Sequence, residues 1–201
     1  MTVQLVLASG NAGKLRELSA LLAPLPVTLV AQSALQIEGA EETGQTFVEN
    51  AILKARHAAG ESGCAALADD SGLVVPALGG APGVYSARYA GAEPSDDDNI
   101  DALLSALADQ SDRTAQFRCV MVMMRSARDP SPLICEGRWS GTIAQVRSGD
   151  AGFGYDPVFI PQGGDVSAAT LSAAQKNAVS HRGQALAALL PMLRAEFGYA
   201  G

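Results

Sequence analysis

The sequence predicts an α/β fold with a long mixed sheet flanked by helices, and two features of its patterning support that class. Short apolar runs, typical of buried strands, alternate with helical periodicities at both ends of the chain. Over 114–146, three strand-like stretches follow one another without a helix, which indicates an antiparallel meander. No linker divides the 201 residues, 48% of which are hydrophobic, so we expect a single domain over 1–201, with room for two lobes.

The first strand, the first helix and the second strand are predicted over 3–8, 15–25 and 27–31 from their apolar spacing. The Gly-rich stretch SGNAGK joins the first two. Such a loop presents backbone N–H groups to a phosphate, although a plain strand-to-helix turn explains the same glycines. The glycines are three residues apart and Leu15 follows Lys14, so this is not a Walker A loop and a P-loop NTPase is disfavoured.

A capping box predicts the next helix. Thr46 and Glu49 have the T-x-x-E spacing, and the apolar periodicity continues to about residue 59. Asn50 and Lys54 are four residues apart on a face of that helix that is not apolar. Glu42 lies in the acidic loop before the helix, where a solvated surface carboxylate is the ordinary interpretation.

Two adjacent aspartates, Asp69 and Asp70, lie between the apolar runs 64–68 and 73–78, which predict a pair of strands with DDSG at the corner. A charge buried there costs free energy unless a partner satisfies it. An Asx turn accounts for one aspartate. Because successive side chains of an extended segment point to opposite faces, the other can point toward a site.

Capped helices are also predicted in the second half of the chain. Ser95 precedes three aspartates at 96–98, which complement the dipole of a helix, and we prefer this interpretation to a metal site. Ser172 and Gln175 form another capping box, and Ser180 is placed to cap the final helix.

Charge and cysteine usage restrict the function. A net charge of −7 disfavours a nucleic-acid polymer as partner but allows a small anionic ligand bound by local cations. No apolar run reaches the roughly 18 residues of a membrane span, and we expect no secretory leader. Cys64, Cys119 and Cys135 are widely spaced in apolar segments, which predicts buried thiols in a reducing cytoplasm.

Two later stretches offer groups for a nucleotide. In GFGYDP, Phe153 can stack on a base and Asp156 can accept from a base N–H, although a buried aromatic corner explains this stretch equally well. In KNAVSHRG, the donors Lys176, His181 and Arg182 flank a helix break, where cations also occur for dipole reasons alone.

Together these candidates suit phosphoanhydride chemistry. Glu42 and Asp70 are hard carboxylate ligands for Mg²⁺, and each of the chain's three lysines lies in or beside a candidate stretch. We find no Ser–His or Cys–His pattern that offers a covalent nucleophile. The sequence therefore predicts metal-assisted attack of water on a phosphoanhydride.

Five stretches, in order, resemble the inosine/xanthosine triphosphate pyrophosphatase family: SGNAGKLRE, EETGQTFVENAILKARHAA, ALADDSGLVVPALGGAPGVYSARYAG, GFGYDPVF and SHRGQAL. The resemblance spans 9–186. It implies a long, twisted mixed sheet with two lobes and the active site in the cleft between them. Ser9 stands where threonine is common in the family, and either hydroxyl serves.

The resemblance also implies roles for individual residues. Asp70 is the expected general base, with Asp69 as the alternative, and Glu42 and Asp70 are the expected Mg²⁺ ligands. The expected substrate contacts are Ser9, Gly10, Asn11, Ala12, Gly13, Lys14, Lys54, Ser71, Arg88, Phe153, Gly154, Tyr155, Asp156, Lys176, His181 and Arg182.

The implied reaction converts ITP, dITP or XTP to the monophosphate and pyrophosphate, and the implied enzyme is a cytoplasmic homodimer. Hydrogen-bond donors against O6 would select 6-keto purines, because the amino group of adenine would leave them unpaired. Two other hypotheses stay open. One is a septum-formation-type pyrophosphatase for modified pyrimidines, which SHRG and FGYDP disfavour, and the other is a nucleotide sensor without turnover.

Overall fold

The computed structural model describes residues 3–9, 15, 18–19, 22–23, 25 and 27–197. The predicted phosphate loop at 10–14 and much of the helix predicted over 15–25 lie outside these residues. The helices and strands, in chain order, are β1 Val3–Leu7, β2 Val27–Ala31, α1 Phe47–Ser62, β3 Ala65–Val74, α2 Asp96–Ala106, β4 Thr114–Met124, β5 Leu133–Ile143, β6 Phe159–Pro161, α3 Ala173–Val179 and α4 His181–Glu196. Within the described part of the chain, none of the helices combines the length and apolar character that a bilayer crossing requires.

Six strands form one sheet in the order β2-β1-β3-β4-β5-β6. β1 pairs in parallel with β2 on one side and with β3 on the other, with Leu5 opposite both Leu29 and Ala65. β5 and β6 pair antiparallel, with Thr142 opposite Ile160. The sheet is therefore mixed, as predicted, and helices flank it, so the α/β class is confirmed.

Two predicted strand breaks are wrong, and both fall at a Ser-Gly pair. β3 runs without interruption through Ser71 and Gly72, so DDSG lies inside one strand instead of at a corner. β5 likewise continues through Ser140 and Gly141, which merges two strands of the predicted meander. Ser-Gly favours a turn locally, but pairing within a sheet overrides such preferences. At Gly141 the glycine permits a close approach, because a Cβ there would lie 2.3 Å from the Ile160 carbonyl oxygen.

The chain divides into two compact units. Unit 1 consists of Met1–Asp70, Val120–Glu136 and Ala185–Gly201, and unit 2 consists of Ser71–Cys119 and Gly137–Gln184. In unit 1, the alanine-rich face of α1 packs on strand residues, and the buried cluster is Val6, Ala8, Ala51, Ala55, Ala58, Ala59, Ala66, Ala68, Val120, Val122 and Met124. In unit 2, the core is built on larger side chains, among them Phe117, Trp139 and Phe159.

The starts predicted for the helices after residue 45 are confirmed. Complete capping boxes open α1, α2 and α3, with the side chains of Thr46, Ser95 and Ser172 each accepting from a backbone N–H three residues on. Ser180 Oγ accepts from Gly183 N at 3.2 Å at the start of α4. α1 ends at Gly63, whose φ of 66° is the left-handed conformation that glycine adopts without strain. All three cysteines are free thiols.

Candidate active site

In unit 1, two carboxylates from different elements converge on one ammonium group. Lys54 Nζ, on α1, donates to Asp70 Oδ1, on β3, at 2.8 Å. It also donates to Glu42 Oε1, in the loop before α1, at 3.1 Å. The side chains of Lys54 and Asp70 are only 12% and 10% exposed, so water screens their charges weakly. Three residues singled out from the sequence are thus brought together.

Asn50 completes this cluster, although the sequence assigned it no role. It lies one helical turn before Lys54 and is fully buried. Its Nδ2 donates to Asp70 Oδ2 at 3.3 Å, and its Oδ1 accepts from Gly44 N at 2.8 Å. Each oxygen of the Asp70 carboxylate therefore has a donor. The spacing of four residues between Asn50 and Lys54 is the signal that could have identified it.

Asp69 is also buried, at 1% exposure. It precedes Asp70 within the continuous strand β3, so the two side chains point to opposite faces of the sheet. The contacts with Lys54 and Asn50 distinguish Asp70 as the aspartate at the centre of the cluster.

The charges of the cluster shift the pKa values of its members. Burial raises the pKa of Asp70, Lys54 and Asn50 lower it, Glu42 raises it, and the balance lies above the ordinary value. Burial by itself lowers the pKa of Lys54, but Asp70, Asp69 and Glu42 outweigh that effect and raise it. Lys54 thus contacts two carboxylates, Glu42 and Asp70, and is also influenced by the charge of Asp69.

The donor set fits an Mg²⁺ ion that is shared with a substrate. Among the residues that the structure describes, no three His, Cys, Asp or Glu side chains are grouped as a complete metal site. Mg²⁺ commonly binds one or two carboxylates and completes its shell with water and substrate phosphates. Glu42 and Asp70 supply two hard oxygen ligands that already face a common cation, the Lys54 ammonium group.

In unit 2, the FGYD stretch forms a tight loop that its own aspartate closes. Asp156 Oδ2 accepts from Phe153 N at 3.0 Å and from Lys176 Nζ at 2.5 Å. Gly152 has a φ of 83°, and a Cβ there would lie 2.1 Å from Asp156 Oδ2, so only glycine fits this turn. Asp156 Oδ2 thus accepts two hydrogen bonds within the protein. The hydrogen bond from a base N–H to Asp156 stays a prediction.

The side chain of Phe153 projects from this loop and is 43% exposed. Lys176 Nζ lies 4.6 Å and Arg182 Cζ lies 5.6 Å from the centre of its ring. Both cations are themselves buried. An exposed ring beside two cations is a platform on which an electron-rich base can stack while its carbonyl meets a donor.

Two further predicted contacts adjoin the platform. Arg182 Nη2 lies 3.3 Å from Ser71 Oγ, its hydrogen-bond acceptor. The neighbouring His181 is buried, and its ring stacks on Phe117 at 4.8 Å between ring centres. Trp139, the only tryptophan of the chain, lies 6.4 Å from the same imidazole.

Tyr155 and Arg88, two other predicted substrate contacts, interact with different residues of unit 2. Tyr155 packs its ring in the core of unit 2, and its hydroxyl donates to the Ser86 carbonyl oxygen at 2.8 Å. Burial raises the pKa of this hydroxyl. Arg88 is exposed and lies over the ring of Tyr85, 5.2 Å from its centre. Substrate binding by these residues stays a prediction.

The three aspartates of the α2 start have structural partners, in line with their interpretation as a helix start. Asp98 completes the capping box. Asp97 pairs with Arg147 at 3.4 Å. Asp96 Oδ2 accepts from Gly154 N of the FGYD loop at 2.6 Å.

Known proteins resemble the chain over nearly its whole length. The Ham1 family model matches residues 5–192. dITP/XTP pyrophosphatases from Pectobacterium atrosepticum and Methylococcus capsulatus are 57% and 58% identical to it, over 95% and 98% of this chain and 98% and 100% of theirs. A HAM1 protein structure from Coxiella burnetii has a TM-score of 0.93 at 50% identity, covering 96% of this chain and 100% of that one.

Proposed function

The chain belongs to the Ham1 family, and from that membership we infer that it is a nucleoside triphosphate pyrophosphatase. The resemblance seen in the sequence motifs is thereby confirmed. The observation in the molecule that carries the inference is the Lys54 ammonium group held between Glu42 and Asp70. We propose that the substrates are dITP, ITP and XTP, and that their removal prevents incorporation into DNA and RNA.

We propose that Asp70 accepts the proton of the attacking water while the bond between the α and β phosphates breaks. Lys54 and Asn50 hold one oxygen each of this carboxylate, so its plane is oriented before substrate binds. Mg²⁺, held by Glu42 and Asp70, would supply the charge neutralisation that phosphoryl transfer requires. Lys54 adds a fixed positive charge beside the carboxylates.

The unit 2 cluster is proposed to bind a nucleotide base. Phe153 supplies the stacking surface, and Lys176 and Arg182 supply donors for the O6 atom of a 6-keto purine. Adenine would place an amino group against those donors and leave them unpaired, which costs binding free energy. Residues 9–14 are proposed to contact the phosphates, and Ser71 is proposed to contact the substrate.

We also propose that the enzyme works as a cytoplasmic homodimer, and that Mg²⁺ is required. The three free cysteines fit a reducing compartment. Light scattering of the purified protein measures its mass in solution, and a monomer would contradict the dimer without affecting the proposed reaction.

A product assay tests the function directly. The purified protein is incubated with Mg²⁺ and, in parallel, ITP, XTP, dITP, ATP and GTP, and the products are resolved. We expect monophosphate and pyrophosphate from the first three substrates and little from ATP, with loss of turnover in EDTA. We expect little from GTP as well, and because GTP also carries O6, its exclusion must depend on its 2-position. Diphosphate and inorganic phosphate from ATP would identify a different phosphohydrolase. Tight binding without turnover would indicate a sensor.

A further inference from the structure

We propose that Asn50 is a positioning residue that sets the spacing of Asp70 and Glu42 through its side-chain amide. Its expected effect on turnover rests on the proposed function of those two carboxylates. The hydrogen bonds of Asn50 lie within unit 1, and thermal unfolding tests them independently of any reaction.

The hydrogen bonds around Asn50 close a ring. The amide accepts from Gly44 N at 2.8 Å and donates to Asp70 Oδ2 at 3.3 Å. The other Asp70 oxygen accepts from Lys54 Nζ, which also donates to Glu42. Because Glu42 is only two residues before Gly44, the chain itself joins the two ends. Moving the Asn50 amide would therefore displace both carboxylates relative to each other.

The chemistry of the side chain matches this task. Asparagine is a compact residue that donates to a carboxylate and accepts from a backbone N–H at the same time. Each of its groups costs free energy when buried unless it has a partner, and Asn50 is fully buried. A carboxylate at this position would accept from Gly44 equally well but would repel Asp70.

Gly44 is fitted to Asn50 as well. A Cβ on residue 44 would lie 2.7 Å from Asn50 Oδ1 and 2.7 Å from Glu49 Cβ. The loop that carries Glu42 can thus approach α1 this closely only because residue 44 lacks a side chain.

The chain contains a matched control for Asn50. Asn99 is the fourth residue of α2, as Asn50 is of α1, and it is 3% exposed. Its Oδ1 accepts from Ala90 N at 2.9 Å and its Nδ2 donates to the Ala87 carbonyl oxygen at 3.3 Å. A change from Asn to Asp at either site removes one buried donor and keeps the acceptor, but only at residue 50 does it face a carboxylate.

The kinetic test compares Asn50→Asp with Asn99→Asp. Because a misaligned reacting group costs up to about 100-fold, we expect kcat of Asn50→Asp to fall about 10- to 100-fold. We expect nucleotide affinity, followed by the fluorescence of Trp139 beside His181, to change by less than about threefold. Asn99→Asp is expected to keep kcat within about twofold of the wild type. A kcat near the wild-type value in Asn50→Asp would overturn the proposal.

The stability test pairs Asn50→Asp with Asp70→Asn. Asn50→Asp alone should lower Tm by about 5 °C or more, because two carboxylates then face each other. Adding Asp70→Asn supplies an amide donor opposite the new carboxylate and should restore most of that loss, whereas adding it to Asn99→Asp should not. Simple additivity of the Tm changes would overturn the contact. Should Asn50→Asp not fold alone, a folded double variant would support the contact, an unfolded one would contradict it, and Asn50→Ala provides the kcat.

Discussion

The starts of α1 and α2 use the same local device for different purposes. Each begins with a capping box, TFVE in unit 1 and SDDD in unit 2, followed by a buried asparagine. Both asparagines, Asn50 and Asn99, accept from a backbone N–H of the loop before their helix. They differ in the second bond, which goes to the Asp70 carboxylate in unit 1 and to the Ala87 carbonyl oxygen in unit 2.

This difference shows how a structural motif acquires a functional partner. In unit 2 the bonds of the asparagine end on backbone groups, so they fasten a loop to a helix. In unit 1 the same side chain reaches a charged group that also contacts Lys54. The loop residues whose N–H groups donate to the two asparagines also differ. In unit 2 this residue is Ala90, whereas in unit 1 it is Gly44, where a Cβ would lie only 2.7 Å from Asn50 Oδ1.

The largest effect is expected at Asp70, the carboxylate to which Asn50 donates, whereas Asn99 donates to a backbone carbonyl oxygen. Asp70→Asn should lower turnover by about 100- to 10,000-fold, the usual contribution of a general base, while nucleotide still binds. The measurement is kcat together with a binding isotherm. Asp129→Asn is the control, because Asp129 is another buried unit 1 carboxylate, paired with Arg125 at 2.9 Å. Near-normal turnover in Asp70→Asn would remove Asp70 from the chemistry.

The second prediction contrasts binding in unit 2 with chemistry in unit 1. Phe153→Ala should raise KM for every purine substrate by about 10- to 100-fold, because it removes a base-stacking surface worth about 1–3 kcal/mol. Its kcat should change much less than that of Asp70→Asn. Val166→Ala removes another exposed apolar side chain of unit 2 and serves as the control. An unchanged KM in Phe153→Ala would eliminate the stacking role.

The third prediction concerns Gly44, whose backbone N–H donates to Asn50. The corresponding residue in unit 2 is Ala90. Gly44→Ala should destabilise the protein by about 1–3 kcal/mol through overpacking against Asn50 and Glu49, and should lower kcat. Gly39→Ala is the control, because the atom nearest to a Cβ at residue 39 would be Gln32 Nε2, at 3.9 Å. Urea unfolding and kcat are measured on both variants. Equal stability and equal kcat would show that residue 44 does not need to be glycine.

A smaller effect is expected at the capping residues, where the two helix starts should behave alike in stability. Thr46→Ala and Ser95→Ala should each cost about 1 kcal/mol, since each removes an oxygen that caps a helix N-terminus. Only Thr46→Ala should also lower kcat, because its box holds the loop that presents Glu42. If Ser95→Ala lowered kcat equally, the functional distinction between the two helix starts would be lost.

The smallest effect concerns pH. Hydrogen bonds from Thr46 lower the pKa of Glu49, and hydrogen bonds from Ser95 lower that of Asp98. A lowered carboxyl pKa stabilises the fold above the unfolded-state value, and that contribution disappears as pH falls through the folded-state value. The stability difference between wild type and either Glu49→Gln or Asp98→Asn should therefore be larger at pH 7 than at about pH 3. A difference independent of pH would show that these charges contribute nothing.

Much of the fold and of the candidate site was predictable from contacts that are short in sequence. The capping boxes join residues three apart, and the FGYD loop is closed by a bond between Phe153 and Asp156, also three apart. Such bonds depend on few neighbours, so local spacing suffices to recognise them. The sequence motifs also identified the family, because their order and content are specific.

Other features depended on contacts between distant segments, which local preference does not determine. β3 passes straight through Ser71 and Gly72, because sheet pairing outweighs their turn preference. Lys54 meets Glu42 and Asp70 across 12 and 16 residues, and Asn50 meets Asp70 across 20. The sequence by itself determined the elements and the candidate groups. Only the tertiary structure decided which of two equivalent asparagines faces a carboxylate, because that depends on which strand packs beside the helix.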